Sequence, residues 1–328
     1  MSIKKIAEMT GLSTATVSHV INNNRAVSEK SRHKVELAMQ QIGYRPNMAA
    51  RTLKTQKSNT IAMLMPEIEP GNPSNMFFMN VLSGAKSVLE KNGYDLLVST
   101  YQEQAKKPDS YSVLQKQWID GILAVPNRFD EPLDTAGLPA VLIDRTIKQA
   151  PWPCVHTDNR QAAFDATNLL LSCGKKRVGY IGGPLSFSTG YERLQGYRDA
   201  LNDAGYFCND ACICANLPHS IENGRAAAEK LVAQHIDALF ASNNVLAMGA
   251  LQLLQSRNIS IPDQIGLVAF EDYEWMALTA PPLTTVRQDS FQMGETAANL
   301  LLKLLDGKTV PHDVMLPSHL IIRQSHAA

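Results

Sequence analysis

Between residues 60 and 290 the chain keeps changing its period. Short apolar-rich runs alternate with stretches that carry an apolar residue at every third or fourth position. The runs are Ile61–Met65, Asp95–Thr100, Gly121–Val125, Ala140–Ile143, Val178–Ile181, Ala238–Ala241 and Ile265–Phe270, each of a length that suits one strand. Helical patterns fall between them at 77–92, 109–118, 160–173, 191–204, 221–234 and 244–257. A strand with no polar face must be covered on both sides, which parallel sheets flanked by helices achieve. Residues 60–328 exceed one doubly wound core, so two lobes are predicted. Ligands of such sheets bind beyond the carboxyl ends of the strands, and two facing lobes make those ends line one cleft.

The first sixty residues read differently. Ile3, Ile6 and Ala7 repeat at helical spacing, as do Val17, Val20 and Ile21. Ser2 and Ser13 stand where N-caps belong, and Gly11 sits where a helix end needs positive φ. This is the layout of a helix-turn-helix, whose second helix enters the major groove of DNA. A third helix follows, with Ser28 as cap and Val35, Ala38, Met39 and Ile42 on one face, closed by Gly43. On the second helix Thr14, Ala15, Thr16, Ser18 and His19 are small or hydrogen-bonding, and none is acidic. Thr14 and Ala15 would reach base edges, with His19 one turn further on. Thr16, Ser18, Asn22 and Arg51 are candidates for backbone positioning. A plain helical hairpin with a Ser/Thr-rich solvent face would show the same 21 residues.

Charge weighs against that plainer reading. The chain is neutral overall, with 31 Lys+Arg and 31 Asp+Glu. Residues 1–60 nevertheless hold ten basic residues against three acidic ones, a head of +7 on a body of −7. A compact basic head is the footprint of a polyanion-binding module. The acidic body would be repelled by DNA, so only one end should dock. Beyond the third helix, Pro46 stops any continuation and Asn47 can cap a short helix to Leu53. Two isolated turns are marginal in water, so that segment should fold only when something binds it.

These stretches resemble the lactose-repressor (LacI/GalR) family of bacterial transcription regulators. The matching runs are Ile-Ala-x-x-x-Gly-x-Ser-x-x-Thr-Val-Ser at 6–18, Val27-Ser28, Lys34-Val35, Gly43-Tyr44, Pro46-Asn47 and Ala50-Arg51-Thr52-Leu53. The likeness continues along essentially the whole chain. It implies an all-α helix-turn-helix head at 1–45, a hinge helix and linker at 46–59, and an α/β sensor with parallel doubly wound sheets at 60–328. That sensor resembles the two-lobed periplasmic-binding-protein fold. Its first lobe would span about 60–158 and 290–317, its second about 160–287 and 319–328, with the chain crossing near Asp158–Arg160, Arg287–Ser290 and Pro317–His319. The hinge helix would lie in the minor groove, with Leu53 wedged into the central base step.

For the cleft the resemblance implies Phe77 as an aromatic wall and Asp144-Arg145 at the end of the fourth strand. From the second lobe it implies Phe187, Thr189, Arg193, Asn243 and Glu271. Gln288, beside a crossing, would sense closure. Glu271 stands where the family has Asp, and Asn244 where it has Asp. Carboxylates beside guanidiniums suit vicinal hydroxyls or an acid group. Phe77, Phe187 and Trp275 could stack on a sugar ring or pack as ordinary core.

The expected function is therefore a sequence-specific operator-binding regulator of the repressor type, working as a homodimer on pseudo-palindromic DNA. A sugar, a sugar acid or a related metabolite would control it, with a nucleoside or other non-sugar compound as the alternative. No cofactor or metal is expected. Cys208, Cys212, Cys214 and His219 lack the paired arms of a zinc site. An enzyme is disfavoured, since no Walker loop, Gly-x-Ser-x-Gly elbow or Gly-x-Gly-x-x-Gly follows a strand. An architectural DNA-binding protein would not need the cleft residues. With no secretory signal or transmembrane run, and five cysteines in a chain too large to need stapling, a bacterial cytoplasm is expected and no membrane partner.

Overall fold

The computed structural model describes residues 3–22, 25–44, 57–66, 75–101 and 118–327. They fall into two compact units, Met1–Ser58 and Asn59–Ala328.

In the first unit α1 (Ile3–Thr10), α2 (Thr14–Asn22) and α3 (Glu29–Gln41) close on a small core of Ile6, Ala7, Val17, Val20, Val35 and Ala38. Gly11, at φ +68°, makes the turn between α1 and α2. The Ser13 hydroxyl accepts the Thr16 N–H at 3.1 Å, and Ser28 accepts the Ser31 N–H at 3.3 Å. Both caps satisfy amides that a helix start leaves orphaned.

The second unit runs β1 (Thr60–Pro66), α4 (Asn75–Lys91), β2 (Asp95–Tyr101), β3 (Gly121–Ala124), β4 (Ala140–Ile143) and β5 (Cys154–Thr157). It continues through α5 (Asn159–Ser172), β6 (Val178–Ile181), α6 (Ser188–Asp203), β7 (Ile213–Cys214), α7 (Ile221–Val232), β8 (Ala238–Ala241), α8 (Asn244–Ser256) and β9 (Gly266–Phe270). The short α9 (Glu274–Ala277), β10 (Thr284–Gln288), α10 (Ser290–Leu305), β11 (Asp313–Leu316) and β12 (Ser318–Ile321) complete it. The apolar-run reading missed β5, β7, β10, β11 and β12, as well as α9. The helix predicted at 109–118 falls almost wholly outside the described residues.

Two six-stranded sheets result, in the orders β11-β5-β4-β3-β1-β2 and β12-β10-β9-β8-β6-β7. The ladders are parallel except β10–β12, which is antiparallel. Each sheet is buried on both faces. In β1, Ile61, Met63 and Met65 join one core while Ala62 and Leu64 join the other. In β9, Leu267 and Ala269 face one way, Val268 and Phe270 the other. The chain passes from first to second sheet at Asp158, back at Asp289, and across again at Pro317. Both aspartates cap the helix that follows: Asp158 accepts the Gln161 N–H at 3.0 Å, and Asp289 accepts the Gln292 N–H at 2.8 Å.

Glycines bring the covering helices together. A methyl group at Gly84 would lie 2.0 Å from the Phe291 carbonyl oxygen, and one at Gly294 would lie 2.0 Å from that of Val81. The pair α7 and α8 repeats the device through Gly224 and Gly249. Helix α10, late in the chain, thus packs on α4 over the first sheet.

Candidate functional site

The carboxyl ends of the strands carry a concentration of buried polar groups that an ordinary core does not tolerate. From the first sheet, Asp144 follows β4 at φ +67° and is buried. Its carboxylate lies 3.7 Å from the Arg145 guanidinium, which also donates to the Pro126 carbonyl at 3.2 Å and lies over the Phe187 ring, 3.7 Å from its centre. From the second sheet, Glu271 follows β9 at φ +77°. Gln288, the last residue of β10, donates its amide to the Glu271 carboxylate.

Arg193, on α6, is held from two directions. Its Nε donates to Asn159 Oδ1 at 2.8 Å, and its Nη1 to the Ser242 carbonyl at 2.8 Å. Its guanidinium lies 3.6 Å from the centre of the Phe270 ring. Burial works against the Arg193 charge, and Glu271 and Asp144 answer it. Burial also pushes the Glu271 carboxyl up to about 7, although Arg193 and Gln288 pull the other way. Asp144 is raised for the same reason, against the pull of Arg145, Arg193 and His156.

Five buried side-chain atoms at these strand ends have no hydrogen-bond partner. Asn127 Oδ1 and Thr157 Oγ1 lie at the ends of β3 and β5; Ser242 Oγ and Asn244 Nδ2 follow β8, and Gln288 Oε1 ends β10. Two come from the first sheet and three from the second. Unpaired buried polar groups are rare in folded proteins and call for an explanation.

The sheets meet at a rim. The Thr146 N–H donates to Ser188 Oγ at 2.9 Å, the Phe129 N–H to the Ser186 carbonyl at 3.0 Å, and the Phe129 and Tyr191 rings stack with centres 6.1 Å apart.

Not every expected residue stands free for a ligand. Asn243 uses Oδ1 to cap α8, accepting from Val245 and Leu246. Phe77 packs edge-on against Phe78 in the first-sheet core, with ring centres 5.3 Å apart. Phe187 has one face beneath Arg145. Trp275 packs against the second-sheet core. Thr189 is buried on α6. The second acid of Phe270-Glu271-Asp272 is taken by Arg323 at 2.7 Å and Thr285 at 2.8 Å. Asn159 and Ser242, which hold Arg193, were not anticipated. Their signal in the sequence is position alone, one residue past a crossing and one past a strand.

In the head, Thr14 and Ala15 are exposed at the start of α2, while Ser18 and His19 are half-buried. Thr16 shares its hydroxyl with Ser13 at 2.8 Å. Asn22 is the last residue of α2. Arg51 and Leu53 lie outside the described residues.

Comparison with known proteins decides what carries this site. Residues 2–47 match the family model described as bacterial regulatory proteins, lacI family, and residues 167–326 match that of a periplasmic binding protein-like domain. The HTH-type transcriptional repressor CytR of Escherichia coli (strain K12) is 32% identical over 336 residues, 100% of this chain and 96% of its own. The chain belongs to the lacI family of bacterial regulatory proteins. Another relative of this lacI-family regulator, the HTH-type transcriptional regulator CelR of Thermobifida fusca, is 30% identical over 99% of this chain and 98% of its own. Among solved structures, the complex of transcriptional regulator CelR with cellobiose aligns at a TM-score of 0.75, 28% identical and covering 99% of both chains. The lac repressor dimer bound to operator and the anti-inducer ONPF aligns at 0.84, 24% identical over 100% and 99%. Its likeness establishes the fold: a helix-turn-helix head and a two-sheet, periplasmic-binding-protein-like body. The family is one of DNA-binding transcription regulators. No helix among the described residues is long and apolar enough to cross a membrane.

Proposed function

We propose that this lacI-family regulator is a cytoplasmic operator-binding repressor controlled by a small, polar, hydroxyl-rich metabolite held between its two sheets. The observation that carries the metabolite is the set of unpaired buried atoms at the strand ends, drawn from both sheets, beside the charged group Asp144, Arg145, Arg193 and Glu271. A ligand with several donors and acceptors would satisfy atoms on both sheets at once. The solved cellobiose complex of the relative CelR supports a sugar as the first class to try. Binding, not turnover, is the assigned activity.

In this reading Thr14, Ala15 and His19 read base edges, while Thr16, Ser18, Asn22 and Arg51 position the backbone. The protein acts as a homodimer, because a pseudo-palindrome needs a two-fold axis.

The test is a thermal-shift screen of sugars, sugar acids and nucleosides, followed by operator binding with each hit. At least one compound should raise the melting temperature and change operator affinity, and Arg193→Ala and Glu271→Ala should each abolish that response. Unchanged affinity in both variants would move the site elsewhere. A screen answered by nucleosides alone would replace the sugar.

A further inference from the structure

The first crossing between the sheets and the cleft arginine share one side chain. Asn159 is the residue directly after Asp158 and the first of α5, and it is 1% exposed. Its amide nitrogen donates to the carbonyl of Thr157, the last residue of β5, at 3.0 Å. Its amide oxygen accepts from Arg193 Nε at 2.8 Å. One planar group therefore spans from the end of the first sheet to a helix of the second. A side chain placed so has little freedom, because turning the amide would break both bonds together.

The surroundings add to the constraint. Asp158 caps α5 through Gln161, which fixes the turn just ahead of Asn159. Glu192, the neighbour of Arg193 on α6, feels His156, Asn159 and Arg193 together. His156, two residues before the crossing, has Nε2 2.6 Å from Asp313 on β11 and Nδ1 3.0 Å from the Thr157 carbonyl. The Thr157 carbonyl thus meets both the Asn159 amide and the His156 ring.

We infer that Asn159 is a positioning residue that ties the place of the Arg193 guanidinium in the cleft to the geometry of the first crossing. Resting on the reading of the cleft as an effector site, this deepens it: a ligand that draws on Arg193 pulls on the crossing through Asn159. Removing the acceptor should let Arg193 wander and weaken ligand binding. Keeping the acceptor while removing the donor should preserve the arginine's place and cut its connection to the strand end. Asn159→Ala does the first and Asn159→Asp the second.

The experiment uses the full-length protein with two readouts. The first needs no effector. The side-chain Nε–H signal of Arg193, identified by its loss in Arg193→Lys, should be slow to exchange with solvent in the parent protein and in Asn159→Asp. It should exchange at least roughly tenfold faster in Asn159→Ala. An unchanged exchange rate in Asn159→Ala overturns the inference, whatever the cleft binds. Should Asn159→Ala fail to fold, as judged by its melting curve, Asn159→Ser takes its place.

The second readout uses cellobiose, ribose and adenosine as defined probes, with an operator duplex selected from a random library. For any probe that binds the parent protein, Asn159→Ala should weaken binding roughly tenfold or more, and Asn159→Asp should recover most of that loss. The operator response per bound ligand should stay depressed in Asn159→Asp. Equal affinity in parent and Asn159→Ala would overturn the inference and leave the effector site standing. Binding of no probe, with the exchange result as expected, would count against the ligand class and support the role of Asn159.

Discussion

Glu271 shows how one residue can set a condition on the whole protein. Burial raises its carboxyl from the ordinary 4.5 to about 7. The native protein therefore holds this proton more tightly than the unfolded chain does. Its contribution to stability is fully present below about 4.5 and is lost as pH rises through about 7. The difference amounts to about 3 kcal/mol at most. Asp144, Glu192 and His156 are raised too, so they slope the same way. Thermal melts of the parent protein and Glu271→Gln between pH 5 and pH 8.5 isolate the one group. The parent should lose more stability over that range than the variant; parallel curves would mean the carboxyl ionises as it does in water. The sequence made Asp144, Arg145, Arg193 and Glu271 visible because they follow apolar runs, where a charge is conspicuous. What it hid was how their neighbours are committed. Nothing in a one-dimensional pattern says that Asn243 caps a helix or that Phe187 lies beneath a guanidinium.

Among the elements, strands were legible where burial made them uniformly apolar. Ala140–Ile143, Val178–Ile181 and Ala238–Ala241 begin and end where their apolar runs do. Three of the strands that escaped notice carry polar residues: Thr-Thr-Val-Arg-Gln in β10, Asp-Val-Met-Leu in β11 and Ser-His-Leu-Ile in β12. Of these, β11 and β12 are edge strands with one neighbour each, so solvent spares them the apolar requirement. Helix contacts were equally invisible, since a glycine inside a helical pattern looks like a weakness. At Gly294 it is a point of contact, with the Val81 carbonyl where a methyl group would go. Gly294→Ala should force α10 off α4 and lower stability by about 1–3 kcal/mol, read as a drop in the urea midpoint. A midpoint unmoved by the substitution would show that these helices can separate freely.

For the whole molecule, the sharpest expectation concerns DNA. A +7 head on a −7 body should give operator binding that weakens steeply with salt. Selection from random duplexes should yield two half-sites related by two-fold symmetry, as a homodimer requires. His19→Ala should relax one base position in each half-site. Leu53→Ala should cost at least roughly tenfold on the selected duplex and little on random DNA, as loss of a minor-groove wedge would. A Leu53→Ala protein with undiminished operator affinity would reduce 46–59 to a tether, and a His19→Ala protein with an unaltered preference would remove His19 from base reading. The crossings at Asp158, Asp289 and Pro317 have a consequence for how the chain is made. Chains generally fold unit by unit as they leave the ribosome. Here the three-helix head emerges ahead of the body with its own core, but neither sheet can be finished from one continuous stretch. The first waits for α10 and β11, the second for β12. Until β11 and β12 are released, the nascent body is two incomplete sheets with open edges, a form that chaperones recognise and aggregation favours. A stop codon at position 313 would strip one edge strand from each sheet together.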